Sequence, residues 1–317
     1  MTIRQDAFLL RKEDLLAIEN ELYEVKKEEL VARQFLNINN NFPAYAQEIG
    51  YDWYDMAGSA KILAAGASAN DVPFVGEKGG RETMKVYTIA TGIKYEKAER
   101  LALQAKAALG KGSSVSLDTV RVGTARRFVA ETENRLVFVG DTKHKIPGLL
   151  NKTGITIENA ALGATGSTDA EKRLWEKKTP KEKLKDLLRG KSTVEKGNLF
   201  KARVLLLDSD RFNSLLEPYS DQSPMTVLKW LQSEGAFFEK IIVSNHMSAA
   251  YNGITGNVNA FCILDNDPRV VQLAVPQDME LGEPVYDILG TSEQAVTERT
   301  AGCIIRHPSG IYVAKGI

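Results

Sequence analysis

The sequence predicts an α+β fold with one long central helix and strand-rich segments on either side of it. Residues 116–139 repeat apolar or small side chains at steps of three and four, which is the period of a helix with one buried side. Residues 84–95 alternate like a half-buried strand, and residues 202–208 form the continuous apolar run of a buried strand. Helix and strand signals alternate through the second half without an internal repeat.

Residues 1–50 are predicted to form an N-terminal arm. Apolar side chains recur at steps of three and four between Leu15 and Val25, so a charged amphipathic helix is expected over residues 11–36. The turn formers and proline of NINNNFP, residues 37–43, predict the end of that helix. We expect the arm to be detachable from the residues that follow it.

Residues 51–95 are predicted to form an extended loop, a long β-hairpin. Residues 58–66 and 84–95 are strand-like, and the 17 residues between them, 67–83, contain one proline and three glycines. This connection is longer than the two to five residues of an ordinary hairpin turn. Loops of such length are usually functional or disordered, so the tip of the hairpin is a candidate functional segment.

The central helix is predicted to begin after a capping Ser116 and to end near Val139, a length of roughly 35 Å at 1.5 Å per residue. Polar residues then cluster in ETENRLVFVGDTKHKIPGLLN, residues 131–151. We expect Glu131 and Glu133 to form salt bridges within the helix rather than to act as acid and base; their expected partners are Arg126, Arg127 and Arg135. The predicted buried side consists of Leu117, Val120, Thr124, Phe128, Thr132, Leu136 and Val139.

The second half begins its regular structure with a clear helix signal. Thr179 is predicted to be the N-cap of a helix whose first residue is Pro180, and Glu182 completes a capping box with Thr179. Gly190 is expected to end this helix. A further helix is predicted over residues 223–235, and further strands over residues 237–245, 259–265, 269–276 and 302–316.

Composition excludes several classes of protein. The 41 basic and 41 acidic residues give a formal net charge of zero, whereas proteins that grip nucleic acid through its phosphates carry a basic excess. Contact with nucleic acid is therefore expected to be weak or indirect. The chain shows no signal peptide and no run of 18 apolar residues, so we expect no membrane contact. Cys262 and Cys303 lie in apolar stretches and are expected to be reduced packing residues of a cytosolic protein, with a disulfide as the alternative.

Motifs that carry chemistry are incomplete. The stretch ALGKGSS, residues 108–114, fails as a phosphate loop because Ala105 stands where the first glycine belongs and a glycine follows Lys111. The three histidines, His144, His246 and His307, have no partners at metal-ligand spacing. LDNDP, residues 264–268, is first a turn signal, with cation binding as the alternative. We therefore expect no catalytic residue, no metal and no cofactor.

Taken in order, several segments resemble the major capsid proteins of tailed bacteriophages, in the encapsulin-like group with the Hong Kong 97-type capsid fold. The segments are IGYDWYDMAGSAKILA, VYTIATGIKYEKAERLALQA, ETENRLVFVGD with IPGLLN, TPKEKLKDLL, VLLLDSDRFNSLL, TVLKWL, DPRVVQLAVPQDME and TERTAGCIIRHPSGIYVAKGI. Each segment alone is only moderately specific for this family, but the segments follow one another in the order found in the family. Together they cover roughly residues 45–317.

The resemblance implies a role for each segment. Residues 1–50 would be the N-terminal arm and residues 51–95 the extended loop over a neighbouring subunit. Residues 96–154 would form a peripheral domain with its spine helix, residues 155–265 an axial domain, and residues 266–317 a return to the peripheral sheet.

Two groups of site residues follow from the resemblance. The loop tip would contact a neighbouring subunit through Asp71, Val72, Pro73, Phe74, Lys78 and Arg81. In some relatives a loop lysine forms an isopeptide bond with an asparagine of another subunit; Lys78 is the candidate here, without a residue-by-residue match, and solvation of the tip is the alternative. The corner after the spine helix would be fixed by Glu133, Asn134, Arg135, Gly140, Asp141, Gly148 and Asn151.

The function implied by the resemblance is that of a self-assembling shell protein rather than an enzyme. Hexamers and pentamers would form the icosahedral capsid, which would enclose double-stranded DNA without sequence-specific contact. Portal, scaffolding and decoration proteins would be further partners, with assembly in the host cytoplasm and the product in the virion. The alternatives are an encapsulin-type compartment around an enzyme cargo and, from another class, a hydrolase or transferase with an unfamiliar site.

Overall fold

A computed structural model describes residues 27–63, 72–108, 117–220, 223–233, 237–254 and 256–317 of the chain. The predicted helix over residues 11–26, the expected cap Ser116 and the expected contact residue Asp71 lie outside the described residues. The helices within the described residues are α1 (Ala32–Phe35), α2 (Lys97–Ala108), α3 (Leu117–Val139), α4 (Asp169–Arg173), α5 (Pro180–Val194), α6 (Ser209–Ser214) and α7 (Val227–Ser233).

The strands among the described residues are mostly short. They are β1 (Asn37–Asn39), β2 (Glu48–Ala57), β3 (Gly76–Lys85), β4 (Tyr87–Tyr95), β5 (Gly140–Asp141), β6 (Ile146–Pro147), β7 (Thr156–Asn159), β8 (Val204–Leu207), β9 (Pro218–Ser220), β10 (Ser223–Thr226), β11 (Lys240–Val243), β12 (Ala260–Leu264), β13 (Val271–Ala274), β14 (Gln277–Leu281), β15 (Val285–Tyr286), β16 (Ser292–Thr300), β17 (Gly302–Ile305) and β18 (Ile311–Lys315). This mixture of helices and separate sheets confirms the predicted α+β class.

A five-stranded mixed sheet forms the largest layer, in the order β11-β8-β12-β18-β7. Strands β8 and β12 pair antiparallel at its centre, and every residue of both is buried. Such continuous apolar runs are what a strand covered on both faces requires. The C-terminal strand β18 belongs to this sheet, where it lies between β12 and β7.

Helix α5 packs on this sheet and begins as predicted. The backbone N–H and the hydroxyl of Thr179 both donate to Glu182 Oε2, at 2.8 and 2.9 Å. The predicted end at Gly190 is wrong, because the helix continues to Val194. Gly190 instead allows close packing: a Cβ there would lie 2.7 Å from Ile263 Cδ1 of β12.

A second sheet has the order β1-β13-β17 and incorporates the N-terminal segment. Strand β1 pairs in parallel with β13, so NINNNFP contains a strand where only a turn was expected. Val31 and Phe35 are buried in the same apolar core as Phe138 of α3. The predicted helix is wrong over residues 27–31, which have no helical structure. Val31, Ala32, Phe35 and Leu36 are buried in the core, so this part of the segment is not a detachable arm.

The predicted hairpin is displaced along the sequence. Strand β2 pairs antiparallel with β3 over ten residue pairs, from Glu48↔Lys85 to Ala57↔Gly76, whereas the strand expected at residues 58–66 is not regular over residues 58–63. The glycines of 67–83 favour a loop by propensity, but Gly80 sits in β3 under the indole of Trp53, where a Cβ would lie 2.9 Å from Trp53 Cζ2. Cross-strand packing overrides propensity here.

Two compact units divide the chain. The smaller contains Thr91–Phe128 and Leu281–Val296, and the larger contains Glu29–Ala90, Val129–Glu280 and Thr297–Ile317. Within the smaller unit, Arg121 of α3 donates to both carboxylate oxygens of Glu99 in α2. The units cut across the predicted segments 96–154 and 266–317, whose boundaries remain predictions.

Helix α3 has the predicted bounds but a different buried side. Phe128, expected to be buried, is 49% exposed, and the buried positions are Ala125, Val129, Glu133, Asn134, Leu136, Val137 and Phe138. The buried stripe is thus displaced by about one position along much of the helix and includes two polar residues. Among the helices of the described residues, none is long and apolar enough to span a bilayer.

A buried ion pair ties α5 to the preceding turn. Lys178 Nζ donates to Asp186 Oδ2 at 2.5 Å, and the indole N–H of Trp175 donates to the same oxygen at 3.0 Å. Both charged side chains are at most 2% exposed. Burial raises the pKa of Asp186, and Lys178 and Trp175 counteract that rise.

We predict that Asp186→Ala lowers the free energy of unfolding by about 3–5 kcal/mol, because it leaves a buried ammonium group without a partner. The matched control is Glu158→Ala, which removes the exposed Arg189–Glu158 pair at 2.7 Å and is expected to cost less than about 1 kcal/mol. Denaturant unfolding of both variants checks this. Equal losses would show that the buried pair is not a specific stabilising contact.

Candidate functional site

The paired strands β2 and β3 form an exposed two-stranded ribbon, which is the first candidate surface. From Asp52 to Ala57, every residue of β2 is exposed, and its β3 partners are exposed apart from half-buried Gly80. Arg81 of β3 donates to both carboxylate oxygens of Asp52 in β2, at 2.6 and 2.9 Å, and thereby lowers the pKa of Asp52. The ten paired residues extend roughly 33 Å at about 3.3 Å per residue.

Large apolar side chains cover the ribbon and the residues next to it. Tyr54 and Met56 are 75% and 73% exposed, and Phe74 and Ile62 are 86% and 99% exposed. A two-stranded ribbon with both faces in water is marginally stable by itself. Exposed apolar patches of this kind mark surfaces that contact another molecule.

The base of the ribbon is anchored in the core. Ile49 of β2 is buried with Ala301 and Ile304, and Met84 of β3 packs against the same cluster. Arg299 donates to the carbonyl oxygens of Ala44 and Ala46, just before β2. The end of the ribbon at Ile49 and Met84 is therefore packed on the rest of the larger unit, while the end at Ala57 and Gly76 is exposed.

The residues expected to contact a neighbour at the hairpin tip lie in two places, some before β3 and some within it. Val72, Pro73 and Phe74 lie in the segment before β3, and Phe74 is the most exposed of the three. Lys78 and Arg81 lie within β3, opposite Asp55 and Asp52, so the prediction that Lys78 lies at the tip is wrong.

The corner after α3 is a tight hairpin built on Gly140 and Gly148. Gly140 has φ +70°, and a Cβ there would lie 2.3 Å from the carbonyl oxygen of Ile146. A Cβ at Gly148 would lie 2.4 Å from the Gly140 nitrogen. The two glycines therefore allow β5 and β6 to approach each other at the end of the helix.

The last carbonyl groups of α3 are capped by the chain that returns after this hairpin. The backbone N–H groups of Leu149 and Leu150 donate to the carbonyls of Val137 and Phe138, at 2.8 and 3.0 Å. The Asn151 side chain donates to the carbonyl of Val139 and accepts from the N–H of Gly148 at 2.7 Å. Three of the carbonyl groups at the C-terminus of α3, those of residues 137–139, are therefore paired with groups of the returning chain.

Asp141 stabilises the turn between β5 and β6. Its carboxylate contacts His144 Nδ1 at 2.5 Å and accepts from the N–H of Lys143 at 2.9 Å. His144 is the main reason why the pKa of Asp141 lies below its usual value, with the Lys143 hydrogen bond second. Arg135 is exposed, and its charge contributes a smaller lowering of the same pKa.

Glu133 and Asn134 face the N-terminal segment instead of the corner. Asn134 Oδ1 accepts from the N–H of Ala32 at 3.0 Å, and Glu133 Oε2 accepts from Arg33 Nε at 2.7 Å. The expected salt bridge of Glu133 within α3 is therefore wrong, because its side chain lies on the buried stripe of the helix. Arg33 also contacts Glu298 Oε1 at 2.7 Å and Asp278 Oδ1 at 3.0 Å.

Sequence reasoning missed Arg33, Glu298 and Asp278 as a cluster around Glu133. Arg33 is separated from its partners by 100 to 265 positions, so no local spacing connects them. The one available signal was the position of Glu133 between Val129 and Leu136, within the helical period of a buried stripe. Burial raises the pKa of Glu298 to about 8, the charge of Glu133 adds to that rise, and Arg33 opposes it.

Two clefts of the larger unit are lined by charged side chains. A cleft of about 970 Å³ is lined by Asp141, His144 and four lysines, and another of about 400 Å³ by Lys191, Glu195 and Arg203. Glu298 lines neither of them. The described residues contain no group of three histidine, cysteine or acidic side chains able to hold a metal ion. LDNDP forms a turn, in which Asp265 Oδ1 accepts from the N–H of Asp267 at 3.1 Å.

Comparisons with known proteins agree with the resemblance found in the sequence. A family model described as major capsid protein matches residues 58–317. The capsid of Myoviridae phage XM1 is similar in structure, with a TM-score of 0.77, 14% identity, and coverage of 98% of this chain and 100% of that chain. Among curated protein sequences, none is significantly similar to this chain.

Two further solved structures have the same fold. Mycobacterium phage Bobi gives a TM-score of 0.65 at 11% identity, covering 95% of this chain and 94% of that chain. The virus-like particle from Pyrococcus furiosus gives a TM-score of 0.55 at 17% identity, covering 89% and 91%. The fold is therefore that of phage capsid proteins, the Hong Kong 97-type capsid fold.

We predict that Gly140→Ala lowers the free energy of unfolding by about 2 kcal/mol or more, because alanine is strained at positive φ and its Cβ would collide with Ile146. Gly123→Ala is the control. Gly123 lies on the exposed face of α3 with no atom within 4 Å of its would-be Cβ, so this change is expected to add about 0.5–1 kcal/mol. Denaturant unfolding that found both substitutions equally tolerated would contradict the described corner.

Proposed function

Because the chain belongs to the major capsid protein family, we propose that it assembles with copies of itself into the icosahedral shell of a tailed bacteriophage, around a double-stranded DNA genome. The main structural support for this proposal is the ribbon of β2 and β3, whose large apolar side chains are exposed to solvent. A second copy of the chain is the partner that every subunit of a closed shell has available.

The ribbon and the segment before β3 form the contact with a neighbouring subunit. Ile62 and Phe74 are large, apolar and exposed, so their burial against a neighbour removes apolar area from water at about 25 cal/mol per Å². Val72, Pro73, Lys78, Arg81 and, outside the described residues, Asp71 belong to the same contact. Many weak contacts of this kind stabilise a shell together, even where each alone is weak.

The predicted segments have roles in this assembly. Residues 96–154 form a peripheral domain around the spine helix α3, and residues 155–265 form most of an axial domain that packs around the centres of hexamers and pentamers. The corner at Gly140, Asp141, Gly148 and Asn151 supports these roles by fixing how the chain leaves α3.

The formal net charge of zero favours a shell that encloses DNA without binding its phosphates tightly. A formal net charge of zero limits repulsion among many copies, and it provides no basic excess for phosphate binding. Portal, scaffolding and decoration proteins are further proposed partners. Assembly takes place in the host cytoplasm, and the finished protein is part of the virion.

An encapsulin-type compartment with an enzyme cargo is the alternative. The virus-like particle from Pyrococcus furiosus has a TM-score of 0.55, whereas the phage XM1 capsid has a TM-score of 0.77 and is covered over its whole length. The closer agreement in structure favours the viral role over the compartment.

We predict that the purified chain forms closed shells of megadalton mass, visible by electron microscopy and measured by light scattering on the same sample. Ile62→Ser combined with Phe74→Ser should raise the concentration needed for shells at least about tenfold, since two apolar side chains lose their burial at the contact.

The matched control is Leu101→Gln, which replaces a large apolar side chain that is 54% exposed on α2, outside the ribbon and outside residues 155–265, by a polar one of similar helix propensity. It should leave assembly unchanged, and all variants should keep the unfolding free energy of the isolated chain. A chain that stays monomeric or dimeric across changes of salt and crowding would contradict the proposed function. Normal assembly of the double variant would contradict the role of the ribbon.

A further inference from the structure

Two buried carboxyl groups share a single guanidinium group in the core of the larger unit. Glu133 of α3 and Glu298 of β16 are 3% and 0% exposed, and Arg33 Nε and Nη2 donate to one oxygen of each at 2.7 Å. Asp278 of β14 is the third acid beside Arg33, but its side chain is 59% exposed. Three acids therefore surround one base, and two of them are removed from water.

The second oxygen of each buried carboxyl has no donor. Glu133 Oε1 and Glu298 Oε2 are buried without a hydrogen-bond partner when both groups are ionised. The two side chains are nevertheless close enough to hydrogen-bond each other. Buried polar atoms without partners cost about 1–3 kcal/mol each, so native structures rarely retain them. One proton between the two carboxyls converts one oxygen into a donor and satisfies both atoms.

We propose that Glu133 and Glu298 hold one proton in common under Arg33, and that this proton fastens residues 31–36 to helix α3 as a pH-sensitive latch. With the proton in place, the two carboxyls carry one negative charge against the one positive charge of Arg33. Without it, two buried negative charges repel each other beside a single guanidinium group. Loss of the proton therefore favours release of the segment.

The segment held by the latch is already defined by its other contacts. The N–H of Ala32 donates to Asn134 Oδ1, and the ring of Phe35 packs 5.8 Å from the ring of Phe138. Asn134 directly follows Glu133 on α3, and Phe138 lies about one turn beyond Asn134. The charged groups that face the carboxyl pair are Arg33 from α1, Asp278 from β14 and the two glutamates themselves. Within the part of the chain that the structure describes, these groups include no histidine or lysine.

The direction of the pH dependence follows from the raised pKa. Burial, followed by the charge of Glu133, raises the pKa of Glu298 from its usual 4.5 to about 8. When the segment opens and water reaches the pair, this rise is relieved, so the closed state binds more protons than the open state between about pH 5 and 8. The closed state is therefore favoured at the acidic end of this window and loses stability as the pH rises through it.

Amide hydrogen exchange on the full chain tests the latch, at pH 5 to 9 and with the oligomeric state checked by light scattering at each pH. Protection factors of peptides covering residues 31–36, corrected for intrinsic exchange, should fall between about pH 5 and 8 with a slope approaching tenfold per pH unit and level off above pH 8. The buried strand β8 provides the internal reference, and its protection should not follow the same curve.

Two substitutions distinguish the shared proton from other titrations. Glu298→Gln supplies an amide N–H in place of the proton, so the pH-dependent step should disappear while protection stays high. Asp278→Asn changes the exposed acid beside Arg33 and should leave the step in place. If Glu298→Gln does not fold, Glu133→Gln is the second variant with the same expectation. A native chain without the step, or a step that persists in the glutamine variant, overturns the proposal.

Discussion

The ribbon of β2 and β3 exposes apolar side chains that the rest of the described residues do not cover, and the proposed assembly depends on this feature. The backbone groups between the two strands are paired over ten positions, so the ribbon can project from its anchored base without unsatisfied backbone bonds along the inner edge. The side chains of Tyr54, Met56 and Phe74 still face water. In the assembly proposed above, a neighbouring subunit covers these side chains and thereby stabilises the ribbon.

The rest of the structure holds the base of that ribbon and the end of α3 firmly. Backbone N–H groups of Leu149 and Leu150 cap α3, and Gly140 and Gly148 allow the tight hairpin that brings those groups there. Near the N-terminus, the core takes in Phe35 and pairs β1 with β13. The described residues therefore combine tightly packed internal joints with an exposed ribbon, an arrangement that suits the repeated contacts of the proposed shell.

Much of the fold could be predicted because its signals are local. The capping box at Thr179 and Glu182, the apolar run of β8 and the bounds of α3 depend on neighbouring residues, and all three are confirmed. The errors come from distant contacts. Gly80 lies in a strand because Trp53 packs on it, and Glu133 is buried because Arg33 reaches it from 100 positions away. The corner glycines could be identified from sequence, whereas the cluster around Arg33 could not.

Hydrogen exchange of the ribbon itself tests the central claim most directly, by comparing the assembled particle with the dissociated chain at one pH. If a neighbouring subunit covers the ribbon, the amides on the unpaired edges of β2 and β3, together with those of residues 72–75, should exchange rapidly in the dissociated chain and at least about tenfold more slowly in the particle. The buried strand β12 should be equally protected in both states. Equal exchange of the ribbon in both states would contradict the claim that assembly covers it.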